Sequence, residues 1–156
     1  MEIRRAKPKD IESLIALLYQ VHAVHSEKRP DIFRRGSKKY TEDELKGILK
    51  NESTPVLVCV DASDTVLGYA FCVFEEVKND PSLSDRKSLY IDDICVDEQR
   101  RGQHVGTRLF EAVLALAREA DCYGVTLNVW NLNEGAMRFY EKCGMTPLKV
   151  TMEKIL

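Results

Sequence analysis

Val105, Leu109, Ala112, Val113, Leu116, Ala117 and Ala120 fall on one stripe at 3.6-residue spacing. A helix with so continuous an apolar face needs a broad apolar surface to cover it. That need constrains the fold more than any other feature of the chain. Strand-length runs lie on either side of it, residues 88–96 before and residues 125–130 after. Strands joined through a helix usually run parallel in one sheet with the helix on a face.

The remaining elements follow from periodicity and turn chemistry. Residues 2–6 read as a short strand ending at Pro8. Ile11, Leu14, Ile15, Leu18 and Val21 recur at helical spacing, which predicts a helix from Lys9 to about His25. Residues 29–36 form a loop, because Pro30 biases its predecessor away from helix. Thr41-Glu42-Asp43-Glu44 has the pattern of a capping box and opens a second helix, to about Asn51. Residues 56–60 and 66–74 are apolar strands joined through Asp61-Ala62-Ser63-Asp64, a hairpin-turn composition. Residues 78–87 are polar, contain Pro81 and read as loop. Asn133 to Cys143 is a helix, and residues 148–154 a last strand. The order is β-α-α-β-β-β-α-β-α-β, without repeats, low-complexity tracts or linkers. The expected architecture is therefore α/β (α+β): one domain over residues 1–156, a mixed central sheet of six to seven strands and about four flanking helices.

Composition narrows the functions open to such a domain. The 23 basic and 25 acidic side chains leave a net charge of −2, without the basic excess of a nucleic-acid binder. No apolar run approaches the roughly 20 residues needed to cross a bilayer, so no membrane role is expected. The segment Met1-Glu2-Ile3-Arg4-Arg5 lacks the apolar core of a signal peptide. Five cysteines, an odd number with no CxxC pair, argue against a disulfide framework or a zinc site and suit a reducing cytoplasm. His22 and His25 stand three apart on the first helix, but no third ligand is in view, so no metal is expected.

Two stretches carry chemistry. In the first, Val96-Asp97-Glu98-Gln99-Arg100-Arg101-Gly102-Gln103-His104-Val105-Gly106-Thr107, a strand passes through a polar glycine turn into the long helix. Such a turn gathers free backbone N–H groups where the helix dipole also favours negative charge, and glycine lets an anion approach the backbone. The plainer reading is an ordinary strand-to-helix turn with surface arginines. It is neither a Walker A loop nor a dinucleotide fingerprint, since the glycine spacing fits neither. The second stretch runs from Asn128 to Met145. Asn133 is a natural N-cap, Gly144 a helix C-terminal glycine, and Ala136, Phe139, Tyr140 and Cys143 share one helical face. Taken alone, Tyr140 is a half-buried tyrosine packing its ring.

Together the two stretches resemble the GCN5-related N-acetyltransferases. In that family an R/Q-x-x-G-x-G/A turn holds the CoA pyrophosphate, and an N-x-x-A-x-x-F-Y-x-x-x-G segment follows on a later helix. Here the matching residues are Gln99-Arg100-Arg101-Gly102, then Asn133, Ala136, Phe139, Tyr140 and Gly144, and the element order agrees over essentially the whole chain. His104 departs from the pattern, standing where the family usually has glycine or alanine. A Cβ there leaves the amides free while φ stays negative, and a positive φ would be strained.

The resemblance implies acetyl-CoA as co-substrate and assigns roles. Backbone groups of Ile94, Cys95 and Val96 would run beside the pantetheine arm. Amides from Arg101 through Gly102, Gln103, His104, Val105, Gly106 and Thr107 would wrap the pyrophosphate. Asn133 would hydrogen-bond the cofactor arm, and Tyr140 would stand by the thioester sulfur as general acid. Asp92 is the favoured base or amine anchor. Phe33 and Tyr40, and the acids Glu75, Glu76 and Asp93, are candidates for the acceptor site. By the alternation of a regular strand, Asp92 and Asp93 would point to opposite faces, with Asp92 sharing the parity of Ile94 and Val96.

The reaction sets its own demands. An alkylammonium of pKa ~10.4 must lose its proton before attack, which at neutral pH costs roughly 4 kcal/mol, and a carboxylate could accept that proton directly or through water. The leaving thiolate, near pKa ~8.5, takes a proton from a phenol near ~10 only uphill, by about 2 kcal/mol, so Tyr140 would stabilise sulfur by hydrogen bonding more than by full transfer. The expected acceptor is the primary amine of a small molecule such as a polyamine or amino acid. Protein N-termini, or a non-catalytic acyl-CoA-binding sensor on the same scaffold, are the alternatives. The sequence leaves the oligomeric state open, though dimers are common in the family and a homodimer would fit.

Overall fold

The computed structural model describes all of residues 1–156. Five strands, β1 (Glu2–Arg5), β2 (Val56–Val60), β3 (Val66–Val77), β4 (Arg86–Val96) and β5 (Gly124–Leu127), lie side by side in chain order. The first three pairings are antiparallel and β4–β5 is parallel. The mixed sheet is as the sequence implied, with five strands where six to seven were expected. Residues 148–154 form no strand. β5 stops at Leu127, so Asn128 to Trp130 lie beyond it. The β3–β4 hairpin is longer than periodicity suggested, pairing out to Val77 and Arg86.

Four helices, α1 (Ile11–Lys28), α2 (Glu42–Lys50), α3 (Val105–Glu119) and α4 (Glu134–Lys142), cover the two faces. The capping box of α2 forms: the Thr41 hydroxyl oxygen accepts from the Glu44 amide at 3.3 Å, and a Glu44 carboxylate oxygen accepts from the Thr41 amide at 2.7 Å. The strands alternate between the faces. Val56, Val58, Val60, Tyr69 and Phe71 pack with Leu14, Leu18 and Leu45 on the α1–α2 side. Leu57, Cys59, Ala70, Cys72, Leu89 and Ile91 pack with Leu109, Val113 and Tyr140 on the α3–α4 side. Leu109 and Val113 are fully buried, each worth about 1.5–3 kcal/mol of removed apolar surface, so the stripe Val105–Ala117 is what fastens α3.

α3 can sit this low on the sheet because of Gly68. A Cβ built there would meet the Cys95 carbonyl oxygen at 2.7 Å, with Val105 and Leu109 side chains at 3.1 and 3.2 Å. No helix is long and apolar enough to cross a membrane.

One irregularity positions everything functional. Along β3 and β4, Phe71 faces Asp93 and Cys72 faces Ile91, so Asp92 is an extra residue in the ladder. The bulge resets the alternation. Leu89 and Ile91 before it, and Ile94 and Val96 after it, all join the α3–α4 side.

Candidate active site

The bulge corrects the expectation that Asp92 and Asp93 point to opposite faces. A regular strand would separate them, but a bulge between neighbours turns both carboxylates to the α1–α2 side. Asp92 accepts from the Tyr40 hydroxyl at 2.5 Å and from Lys39 Nζ at 2.8 Å. Asp93 accepts from the Tyr69 hydroxyl at 2.8 Å. Burial pushes the Asp93 carboxyl above its usual range, an effect the Tyr69 hydrogen bond and the Lys39 charge only partly offset. Two neighbouring acids thus occupy different environments: one is neutralised by an ammonium, and the other is held by a phenol in a drier setting.

The bulge also ends the parallel pairing. β4 and β5 pair from Ser88↔Gly124 to Ile91↔Leu127, and beyond that point the edge of β4 carrying Ile94, Cys95 and Val96 has no strand beside it. The Cys95 side chain turns away, its Sγ 3.6 Å from the Leu17 carbonyl on α1. Burial pushes its thiol up to about 12, so it is a packing residue and not a nucleophile.

The turn from β4 into α3 follows. Asp97 caps a short 3-10 turn, accepting from the Gln99 amide at 3.0 Å. Gly102 has φ +78° and His104 φ +61°, ψ +15°. His104 therefore takes the left-handed conformation that glycine would adopt freely. Histidine is among the few side chains enriched there, and the imidazole is exposed. The positive φ that the sequence reading marked as strained is thus the one this position adopts. No amide from Arg101 through Thr107 donates to a protein acceptor; the first bond of the helix is Arg108 N–H to the His104 carbonyl, at 3.0 Å. A run of undonated amides with interspersed left-handed residues at a helix N-terminus has the geometry of an anion cradle. Gly106 lets this end of α3 close on Phe139 and Val96, whose atoms would stand 3.4 and 3.5 Å from a Cβ.

α4 packs on the same face as α3, through Phe139 and Tyr140 against Phe110. Its N-cap is Asn133, whose Oδ1 accepts from the Ala136 amide at 3.3 Å, leaving the side-chain NH₂ free to donate outward. Tyr140 is 7% exposed and packs its ring on Phe110 and Phe139. Its hydroxyl takes part in no protein hydrogen bond, yet no buried polar side-chain atom is left without a partner, so the hydroxyl reaches accessible space. Burial first, and then the Asp93 charge, raise the Tyr140 phenol above its ordinary value. It stays protonated and able to donate.

On the α1 side the predicted Phe33 stacks on His25 at 5.1 Å between ring centroids and meets Trp130 edge-on at 4.9 Å. His22 Nε2 lies 2.6 Å from the Arg34 carbonyl oxygen. Both histidines are thus engaged in packing or backbone contacts, and no three His, Cys, Asp or Glu are grouped to hold a metal ion. Burial lowers the His25 imidazole pKa, with the nearby His22 and Lys28 charges adding to it.

Glu75 is not brought to this site. It is exposed and pairs opposite Ser88, four residues along β3 from the Phe71–Asp93 pair, some ~13 Å at ~3.4 Å per residue. Glu76 is taken up by Lys78 at 2.8 Å. Trp130, Tyr69 and Lys39 are the neighbours that sequence reasoning passed over. Trp130, the chain's single tryptophan, lies just before the Asn133 helix and could have been noticed. Tyr69 and Lys39 reach the aspartates only through strand register and loop course, which leave no local signature.

A fold of this order, with an anion cradle at the head of α3 and strands parting beside it, defines an acyltransferase scaffold. The model of the acetyltransferase (GNAT) family matches residues 18–145, and the chain belongs to that family. The chain is 34% identical over 68 residues to glucosamine 6-phosphate N-acetyltransferase of Arabidopsis thaliana, covering 44% of each. It is 24% identical over 148 residues to an uncharacterized N-acetyltransferase of Methanocaldococcus jannaschii, covering 95% of this chain and 62% of that one. In each case the match spans less than two thirds of the relative's length. Among solved structures, a tetramutant of the BH1408 protein from Bacillus halodurans superposes with a TM-score of 0.96 at 35% identity, covering 100% of both chains. An aminoglycoside acetyltransferase from a soil metagenome shares the fold, with a TM-score of 0.75 at 19% identity over 99% of this chain and 95% of that one.

Proposed function

We propose that this protein transfers the acetyl group of acetyl-CoA directly to the primary amine of a small molecule. The observation that carries the reading is the unbroken run of undonated amides from Arg101 through Thr107, following the edge of β4 that has no strand beside it. Acetyl-CoA supplies the activated acyl group as a thioester. The residues present fit it: the cradle takes a diphosphate, and backbone groups of Ile94, Cys95 and Val96 take an extended amide-bearing arm in the manner of an added strand. The Asn133 NH₂ supports the same arm.

The acceptor enters from the opposite side of the sheet, past Phe33 and Trp130, toward Asp92 and Asp93. Asp93 is the better proton acceptor of the two, because Asp92 is already engaged by Lys39 and Tyr40 whereas Asp93 carries a single phenol. A raised carboxyl pKa brings it closer to that of the amine and improves the match for general-base transfer. A β4 amide near Ile94 would stabilise charge growing on the acyl oxygen. Tyr140 would donate to the departing sulfur.

The shared segment with glucosamine 6-phosphate N-acetyltransferases supports a small-molecule acceptor over a protein N-terminus. Five free thiols suit a reducing, cytoplasmic setting. The test is a CoA-release screen over amino sugars and their phosphates, polyamines, amino acids, aminoglycosides and N-terminal peptides. Turnover on a small amine supports the reading. Turnover on peptides alone moves it to protein acetylation, and tight CoA binding with no turnover on any acceptor leaves a sensor domain.

A further inference from the structure

Lys39 holds its ammonium where an acceptor amine is expected. It comes from the loop between α1 and α2. Its Nζ donates to Asp92 Oδ1 at 2.8 Å and to the Asp92 carbonyl oxygen at 3.3 Å. The same nitrogen stands 5.6 Å from the centre of the Tyr40 ring, whose hydroxyl donates to the other Asp92 oxygen. A carboxylate, a carbonyl oxygen and an aromatic face are groups that recognise a primary alkylammonium. Here the chain itself fills the set. The carbonyl contact fixes its place. Asp92 is the bulge residue that follows Ile91, and Ile91↔Leu127 is the last pair of β4 with β5. Nζ therefore touches the β4 backbone where the two strands part.

Other lysines are differently placed. Lys9, Lys46 and Lys78 meet Asp64, Glu42 and Glu76, all exposed. Asp92 is 16% exposed, the most buried of the carboxylates that lysines meet. Lys38, next in the chain, donates instead to the Tyr19 hydroxyl at 3.1 Å.

We infer that the protein acetylates its own Lys39 within one chain, an inference that rests on the acetyl-transfer reading above. That reading puts the acyl oxygen near the Ile94 amide, two residues past Asp92, ~7 Å along the strand at ~3.4 Å per residue. The flexible four-carbon stem of lysine spans such a distance. One proton of the ammonium goes to Asp93, and the nitrogen lone pair attacks the thioester carbon. The N–C bond forms and the C–S bond breaks. The nitrogen gives up a second proton, which balances the one that Tyr140 lends to the departing sulfur. Overall, ammonium and thioester become acetamide, CoA thiol and one released proton. Lys39 ends neutral, so Asp92 loses its ion pair. A nucleophile tethered in the site needs no encounter, and its step outruns the same reaction on a lysine that must collide.

Protein first treated with a lysine deacetylase, then given isotopically labelled acetyl-CoA without any acceptor, tests this by peptide mass spectrometry. Label at Lys39 should appear at least ~10-fold faster than at Lys38 or Lys78, with a rate constant unchanged over a roughly 50-fold range of protein concentration. CoA release should stop near one equivalent per chain. Lys39→Arg, which keeps a cation on Asp92, should abolish that release. Label no faster at Lys39 than at Lys38 and Lys78, or a rate constant that rises with protein concentration, overturns the inference. If small amines are still acetylated in that case, the acetyl-transfer reading stands without it. If neither Lys39 nor any amine is acetylated, both fall. Mapping on the unaltered chain decides the matter even if the arginine variant misfolds.

Discussion

Tyr69 donates its hydroxyl to Asp93 Oδ2 at 2.8 Å, tying a fully buried ring of β3 to the acid that follows the bulge on β4. Strand register makes the pair, since Tyr69 faces Cys95 and Phe71 faces Asp93. Tyr69 lies against the α1–α2 core and its phenol is held far above its usual value, by burial first and by the Asp93 charge next. It is a fixed donor that orients the carboxylate through Oδ2.

Removing this donor should shift the pH profile. The hydrogen bond lowers the Asp93 pKa against the burial that raises it, so Tyr69→Phe should move the acidic limb of kcat/KM to higher pH and lower the plateau about 10-fold. Stability should fall by about 1–2 kcal/mol, the cost of one buried charge-assisted bond. Because the folded pKa of Asp93 lies above its unfolded value, its contribution to stability is full at acid pH, below the unfolded value near ~3.9, and fades as pH rises through the folded value. Asp93→Asn should therefore flatten that part of the stability–pH curve, measured by urea denaturation at several pH values, while cutting acetyl transfer at least ~100-fold.

Tyr140→Phe separates binding from chemistry. The ring packs on Phe110 and Phe139 and would stay, while the hydroxyl that reaches accessible space would go. CoA affinity by calorimetry should change less than about 3-fold, and kcat should drop ~10²–10⁴-fold. A variant with full kcat would take Tyr140 out of the reaction.

His104 tests the cradle. Its left-handed backbone is one that a β-branched residue adopts only at a cost of roughly 1–2 kcal/mol. His104→Val should lower stability by about that much and weaken CoA binding, whereas His104→Gly should bind CoA within about 3-fold of the parent. Equal CoA affinity in the valine variant would show that the turn tolerates a different path.

Gly68→Ala should be the most damaging small change in the sheet. The added methyl would stand 2.7 Å from a backbone oxygen, which cannot rotate aside as a side chain would. Overpacking of this kind costs about 1–3 kcal/mol, and thermal unfolding should show it as a drop of several degrees. Because α3 rests on this spot, CoA affinity should fall with it.

Local order was legible in the sequence wherever neighbours within a few residues decide it. The stripe from Val105 to Ala117, the capping box at Thr41 and Glu44, the N-cap at Asn133 and strand β2 each depend on spacing and on short-range hydrogen bonds, and the chain states both directly. The turn into α3 was legible for the same reason, since a polar glycine turn entering a helix leaves its amides free wherever it occurs. What only the tertiary structure decided is which way side chains turn once strands pair. An extra residue opposite β3 sent Asp92 and Asp93 to the same face, brought Tyr69 and Lys39 to them and left Glu75 far along the strand. It is also tertiary pairing that leaves residues 148–154, a strand by pattern, without a ladder. Register is a relation between distant segments, and alternation within one segment carries no record of where its partner inserts a residue.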